Sequence, residues 1–282
     1  MRVRIGDVSL FVDFDGAGLV TDGPEMRQKP TLLLLHGGPG FDHSNFKPDF
    51  ACLSDVVQVV YYDHRGQGRS DLGMPGQWNL DSWADDVVAL CAALGIEHPI
   101  VLGLSFGGMV AQAYATKYPE HPSKLILMST TARIRLDRVF DAFERLGGAR
   151  AREVAEAFWA DPAPYSMQTY LETCLPIYTQ SPADPDMVAR TVMNTDVLFH
   201  FAGKGGEFTS FDFLSKLNRV ACPTLVMGGT EDPITPFADS EDIAAALPAN
   251  LVRLEKFDGC GHGVHRDDPD RTFQLMREFI CA

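Results

Sequence analysis

Apolar positions along the chain change period several times, and each change marks an element. Residues 2–14 alternate polar and apolar side chains, which predicts two strands turning at Gly6-Asp7. Residues 32–35, four leucines after Pro30, form an uninterrupted apolar run, as a strand buried on both faces requires. Residues 56–62 form a second such run. From 80 to 94 the period lengthens: Trp83, Val87, Leu90 and Leu94 recur at helical spacing, with Asp81 or Ser82 near the start and Gly95 after the end. A third buried strand follows at 99–104, a helix at 106–118 and a strand at 124–128.

Strands alternating with helices predict βαβ units and a mainly parallel sheet. The rhythm stops between about 133 and 217, where helical stretches and prolines stand without a buried strand. It resumes with a strand at 223–227, a helix near 237–247, a strand at 251–257 and a final helix near 269–280. The expectation is one α/β unit built from residues 1–132 and 218–282, with residues 133–217 inserted as a helical cap. Twelve of the 28 aromatic residues fall within 133–215, an enrichment that fits an apolar pocket under a lid. Phe41, Leu104, Tyr165, Tyr178 and Phe199 are the candidate lining residues.

Composition removes several classes. The formal net charge of −14 repels a phosphate backbone, so no nucleic-acid partner is expected. The longest apolar runs are too short to span a bilayer, so no membrane association is expected either. The six cysteines form no C-x-x-C pair and have irregular spacing, which argues for reduced thiols rather than a disulfide framework or a zinc ribbon. Residues 1–16 lack the positive-then-apolar design of a signal peptide, so the expected location is cytoplasmic. The sequence carries no signal of oligomeric state.

The chemistry concentrates in a few short segments. Gly103-Leu104-Ser105-Phe106-Gly107 follows a predicted strand and opens a predicted helix, the context in which G-x-S-x-G forms a nucleophile elbow. Small residues flank the serine because the turn is sharp and larger side chains would collide with the neighbouring strand and helix. The turn would also place the Phe106 N–H at a helix N-terminus, where partial positive charge holds an anion. His36-Gly37-Gly38-Pro39-Gly40, after the strand at 32–35, can aim further N–H groups at the same point. Pro39 has none, so Gly38 is the expected second oxyanion donor, with Gly37 or Gly40 in reserve. His36 reads as a structural residue of that loop.

A serine nucleophile needs a base, and the base an orienting acid. Asp232 follows the strand at 223–227 on Gly228-Gly229-Thr230-Glu231-Asp232-Pro233. His262 follows the next strand, between Gly261 and Gly263. Glu231 and Asp258 are rival acids, and His265 is a rival base. No phosphate-binding G-x-x-x-x-G-K-[ST] or H-E-x-x-H metal motif occurs, and the expected chemistry needs neither metal nor organic cofactor.

With these segments in view, the chain resembles the α/β-hydrolases, and within them the proline-iminopeptidase-like group. The resemblance rests on His36 to Gly40, on Asp63-His64-Arg65-Gly66-Gln67-Gly68-Arg69-Ser70, and on the elbow at Ser105. It covers residues 1–132 and 218–282 well and the cap poorly. It implies a mostly parallel eight-stranded sheet with helices on both faces and an inserted helical cap. It also implies the chain order serine, acid, histidine, which Ser105, Asp232 and His262 satisfy. In this group the Asp63-to-Ser70 loop is mainly a clamp in which Arg65 and Arg69 pair with acids.

Two positions depart from the iminopeptidase pattern: Phe106 stands where a tryptophan follows the nucleophile, and Leu104 where a glycine precedes it. Glu172 and Glu207 are the candidates for the paired cap glutamates that hold a substrate's free amine. Small-molecule and macrolide esterases are more faintly similar. A serine at position 105 excludes the carboxylate nucleophile of epoxide hydrolases and dehalogenases. The expected function is cleavage of a carboxylic ester or lactone in a small molecule through an acyl-enzyme. The alternatives are an aminopeptidase releasing N-terminal residues and a non-hydrolytic or non-catalytic member of the fold.

Overall fold

The computed structural model describes residues 1–182 and 184–282. The chain opens with β1 (Arg2–Ile5) and β2 (Val8–Asp15), a hairpin turning through Gly6 at φ 54°. A small separate hairpin follows, β3 (Leu19–Asp22) and β4 (Glu25–Gln28), with Gly23 at its turn. The sequence pattern does not predict it, because seven of its eight strand residues are exposed and no apolar alternation marks them. Then come β5 (Thr31–Leu35), β6 (Gln58–Tyr62), α1 (Leu80–Leu94), β7 (Ile100–Leu104), α2 (Phe106–Lys117) and β8 (Lys124–Met128).

Helices α3 (Leu136–Ala160), α4 (Pro164–Thr173), α5 (Pro185–Arg190) and α6 (Thr195–Ala202) occupy the interruption, and no strand lies there among the described residues. The fold closes with β9 (Thr224–Gly229), α7 (Phe237–Ala246), β10 (Val252–Phe257), a single turn α8 (Val264–Asp267) and α9 (Pro269–Cys281).

Eight strands among the described residues form one sheet in the order β1-β2-β6-β5-β7-β8-β9-β10. The β1–β2 and β2–β6 pairs are antiparallel, and every pair from β6 to β10 is parallel. The central strands are buried along their whole length, which explains their unbroken apolar runs. Alternate residues serve opposite faces. Leu33 and Leu35 pack with Trp83, Val87 and Val110 of α1 and α2, whereas Leu32 and Leu34 pack with Phe46, Phe50 and Leu275 on the α9 side.

Helix α1 has the predicted limits, but Asn79 caps it, accepting from the Ser82 N–H, in place of Asp81 or Ser82. Gly95 ends it at φ 69°, the left-handed conformation that closes a helix. Helix α3 bends at Gly148 (φ 74°, ψ −177°), so its two halves point in different directions. Among the described residues no helix is long and apolar enough to cross a membrane.

Candidate active site

Ser105 sits between β7 and α2 at φ 55° and ψ −120°, a conformation rarely adopted by a residue with a Cβ. Its neighbours hold it there. Its N–H donates to the Met128 carbonyl (3.0 Å), and its carbonyl accepts from the Gly108 N–H (2.9 Å) and from Thr130 Oγ1 (2.7 Å). The chain passes so close to β5 that a Cβ on Gly107 would collide with the Leu35 carbonyl, which is why the elbow needs glycine there. Phe106 is the first residue of α2. Its side chain is buried against Trp83, Phe201 and His64, all edge-on.

The loops after β9 and β10 bring the other two groups to the same place. His262 Nε2 lies 2.8 Å from Ser105 Oγ, and its Nδ1 lies 2.8 Å from Asp232 Oδ2. A carboxylate can only accept, so the proton between His262 and Asp232 sits on Nδ1, and Nε2 is free to accept from the serine. Asp232 is fully buried. Its Oδ1 accepts from the N–H groups of Ile234 and Thr235 (2.9 Å each), and its Oδ2 also accepts from the Thr235 hydroxyl (2.8 Å). The His262 N–H donates to the Tyr178 carbonyl (2.6 Å), and the Tyr178 ring stands edge-on to the imidazole at 5.5 Å.

The rival groups point elsewhere. Glu231 pairs with Arg145 of α3, and Asp258 is exposed and pairs with Lys256. His265 is buried against Phe50, and burial pushes its imidazole down to about 3.

Gly38 borders the cavity in front of Ser105, and Gly37 packs beside the serine. The reserve candidate Gly40 donates its N–H to Gln67 Oε1 (2.6 Å) and is thereby occupied. His36 bridges its own loop, with Nδ1 donating to the Gly37 carbonyl (2.7 Å) and Nε2 accepting from the His64 N–H (3.1 Å). Burial pushes its imidazole down, and Nε2, as an acceptor, carries no hydrogen. The Asp63-to-Ser70 loop is tied in the same way. Arg65 binds both carboxylate oxygens of Asp86 (2.9 and 2.7 Å), and Arg69 pairs with Asp42.

The cavity at Ser105 is lined by Gly38, Pro39, Met109, Ile234 and Thr235 and, from the segment between β8 and β9, by Ile134, Leu136, Val139, Trp159, Phe201 and Phe208. None of the lining residues, among those described, carries a charge. The remaining space is about 30 Å³, room for one or two water molecules. The residues expected to line it are placed otherwise. Tyr165 is 74% exposed and donates to Asp161, because α4 turns that face to solvent. Leu104 packs into the core on the α9 side of the sheet, since alternation along β7 points it away from the helical segment. Phe41 packs against the Gly38 turn and Phe199, on α6, against the main core; neither is among the residues lining the cavity. Tyr178 contacts the His262 imidazole and is not among the residues lining the cavity.

Glu172 and Glu207 also stand apart from it. Glu207 accepts from the Leu80 N–H at the start of α1 (2.7 Å), and exposed Glu172 accepts from Gln168 (2.9 Å). What sequence reading missed is the wall itself. Leu136 and Val139 lie one turn apart on α3, a helical spacing that could have found them. Thr235, three residues after Asp232, has the spacing of a side-chain turn.

A family model described as alpha/beta hydrolase fold matches residues 30–269. The chain is 28% identical over 278 residues to a proline iminopeptidase of Lactobacillus helveticus, covering 91% of each. It superposes on the crystal structure of the proline iminopeptidase of Mycobacterium smegmatis with a TM-score of 0.76 at 25% identity, covering 99% of this chain and 97% of that one. A thermophilic esterase from Thermogutta terrifontis gives a TM-score of 0.72 at 26% identity, with the same coverage.

Proposed function

The chain belongs to the α/β-hydrolase family and is a hydrolase of ester or amide bonds; from that premise we propose that it cleaves a carboxylic ester or lactone with an apolar acyl group. Ser105 is the nucleophile, His262 the general base and acid, and Asp232 the orienting acid. His262 Nε2 takes the Ser105 proton as Oγ attacks the carbonyl carbon. Asp232 stabilises the imidazolium that forms. The N–H groups of Phe106 and Gly38 hold the oxyanion, each donor worth about 10²–10³ in rate. His262 then protonates the leaving oxygen, the acyl-enzyme forms, and a water activated by the same imidazole releases the acid.

The observation that carries the ester reading is the uncharged cavity wall. An aminopeptidase must hold a substrate ammonium, and an ammonium buried without a carboxylate partner is costly. Glu172 and Glu207 have other partners, and no lining residue is acidic. The apolar wall from α3, α6 and the segment around Phe208 suits a hydrocarbon chain or ring instead. Residues 133–217 act as a lid: with about 30 Å³ between the walls, they must part for a substrate to enter.

Ester, lactone and proline-arylamide substrates assayed side by side test this reading. The expected result is turnover of short-to-medium acyl esters or lactones, with kcat reduced about 10⁴-fold or more in Ser105→Ala. Preference for the proline arylamide would favour the aminopeptidase. Unchanged ester turnover in Ser105→Ala would remove the mechanism.

A further inference from the structure

We propose that Thr235 is a positioning residue for the base, its hydroxyl holding His262 in the tautomer that can accept the Ser105 proton. This rests on the serine-hydrolase reading above. The Thr235 hydroxyl touches both partners of the acid–base pair: Oγ1 lies 2.8 Å from Asp232 Oδ2 and 3.2 Å from His262 Nδ1. The residue is 2% exposed, so bulk solvent has little access to these bonds.

A hydroxyl has one proton and two lone pairs. Its proton goes to the carboxylate, which can only accept. The oxygen then offers only lone pairs to Nδ1, so Nδ1 must carry a hydrogen, shared between Asp232 Oδ2 and Thr235 Oγ1. The other tautomer, with hydrogen on Nε2, presents a bare Nδ1 to two acceptor oxygens. Turning the hydroxyl proton towards Nδ1 relieves that clash only by leaving Asp232 Oδ2 without either of its side-chain donors. Two hydrogen bonds to a buried carboxylate thus depend on one orientation of the hydroxyl, and the same orientation leaves Nε2 free for the serine.

The backbone reinforces the arrangement. The Thr235 N–H occupies Asp232 Oδ1 beside the Ile234 N–H, so the carboxylate cannot rotate away from the hydroxyl without losing those bonds as well. Thr235 also lines the cavity beside Ser105. Loss of the hydroxyl is therefore expected in the chemical step, and loss of side-chain volume in substrate contact.

Steady-state kinetics on an ester that the wild type cleaves, with melting temperatures, test the assignment in Thr235→Val, Thr235→Ser and Thr235→Ala beside Ser105→Ala. Thr235→Val keeps the shape and loses the hydroxyl. It is expected to lower kcat about tenfold or more, the loss of a hydrogen bond to a charged group, with KM within about threefold. Thr235→Ser keeps the hydroxyl and is expected to restore kcat to within about threefold while raising KM. Wild-type kcat in Thr235→Val, or a Thr235→Ser enzyme as slow as Thr235→Val, overturns the assignment. If Thr235→Val does not fold, Ser against Ala decides: a faster Ser variant supports the role, and equal rates remove it. Ser105→Ala separates the two levels. Turnover there overturns the nucleophile reading and this proposal with it, whereas a dead Ser105→Ala beside a fully active Thr235→Val overturns the proposal alone.

Discussion

Ser105 occupies a backbone conformation that costs a residue with a Cβ about 1–3 kcal/mol, and the structure holds it there through β7, α2 and the Thr130 hydroxyl. That strain lifts Oγ clear of the sheet and towards His262. Selectivity between neighbouring acids is decided at the same scale. Asp232 and Glu231 are adjacent in the chain, yet one carboxylate is fully buried on His262 and the other pairs with Arg145. We therefore expect Asp232→Asn to lower kcat by about 10⁴-fold, because an amide can donate to Nδ1 and favour the wrong tautomer. Glu231→Gln should change kcat no more than about threefold. Equal losses in the two variants, measured on one ester substrate, would reassign the orienting acid.

Among the elements, α3 joins the helical segment between β8 and β9 to the cavity at Ser105. Its first half is pinned to the core: Arg138 bonds Asp239 (2.6 Å) and Asp242 (2.7 Å) of α7, and Arg145 reaches Glu231. After the bend at Gly148, its second half carries Trp159 to the cavity, where the indole stacks on Phe208 at 4.6 Å and donates to the Tyr170 hydroxyl (3.2 Å). Trp159→Ala removes a large part of one wall. The expected outcome is a shift of the acyl-length optimum in kcat/KM towards longer or bulkier esters, read from a chain-length series. An unchanged optimum would place the specificity elsewhere in the wall. Elements also show where sequence patterns lose force. The β3–β4 hairpin bears almost no buried side chain and so leaves no periodic trace, whereas β5, β7 and β8 are buried on both faces and are legible as apolar runs.

For the whole molecule, two buried titratable groups set opposing pH dependences. Burial pushes His265 down to about 3, against about 6.5 for an unfolded histidine. The unfolded chain therefore binds a proton between those values that the folded chain does not. The resulting stability is complete above about pH 6.5 and is lost as pH falls towards 3. Asp239 runs the other way: burial, only partly offset by Arg138, raises its carboxyl to about 6. The folded chain then holds the extra proton between about pH 4 and 6, and stability falls as pH rises through that window. We expect His265→Leu to remove about 2 kcal/mol of the loss between pH 7 and pH 5, read from urea unfolding at the two pH values. An identical loss in the variant and the wild type would show that His265 does not carry the acid limb.

Local order was enough to establish the alternation of strands and helices, the elbow at Ser105, the glycine loop at 36–40 and the candidate acids and bases. Each depends on residues close together in the chain, and turn chemistry and apolar periodicity are short-range. The helical insertion was visible as a break in the βα rhythm, and its aromatic content as a bias in composition. The cavity wall was not: Trp159, Phe201, Phe208 and Ile234 meet only because the segment folds back over the sheet. Tyr165, equally aromatic, turns to solvent on the same segment. Which acid faces His262, and which hydroxyl stands between them, depended likewise on how the loops after β9 and β10 approach each other. A side chain's type is written in the chain, but its partner is set by packing among residues far apart in it, and no local pattern encodes that distance.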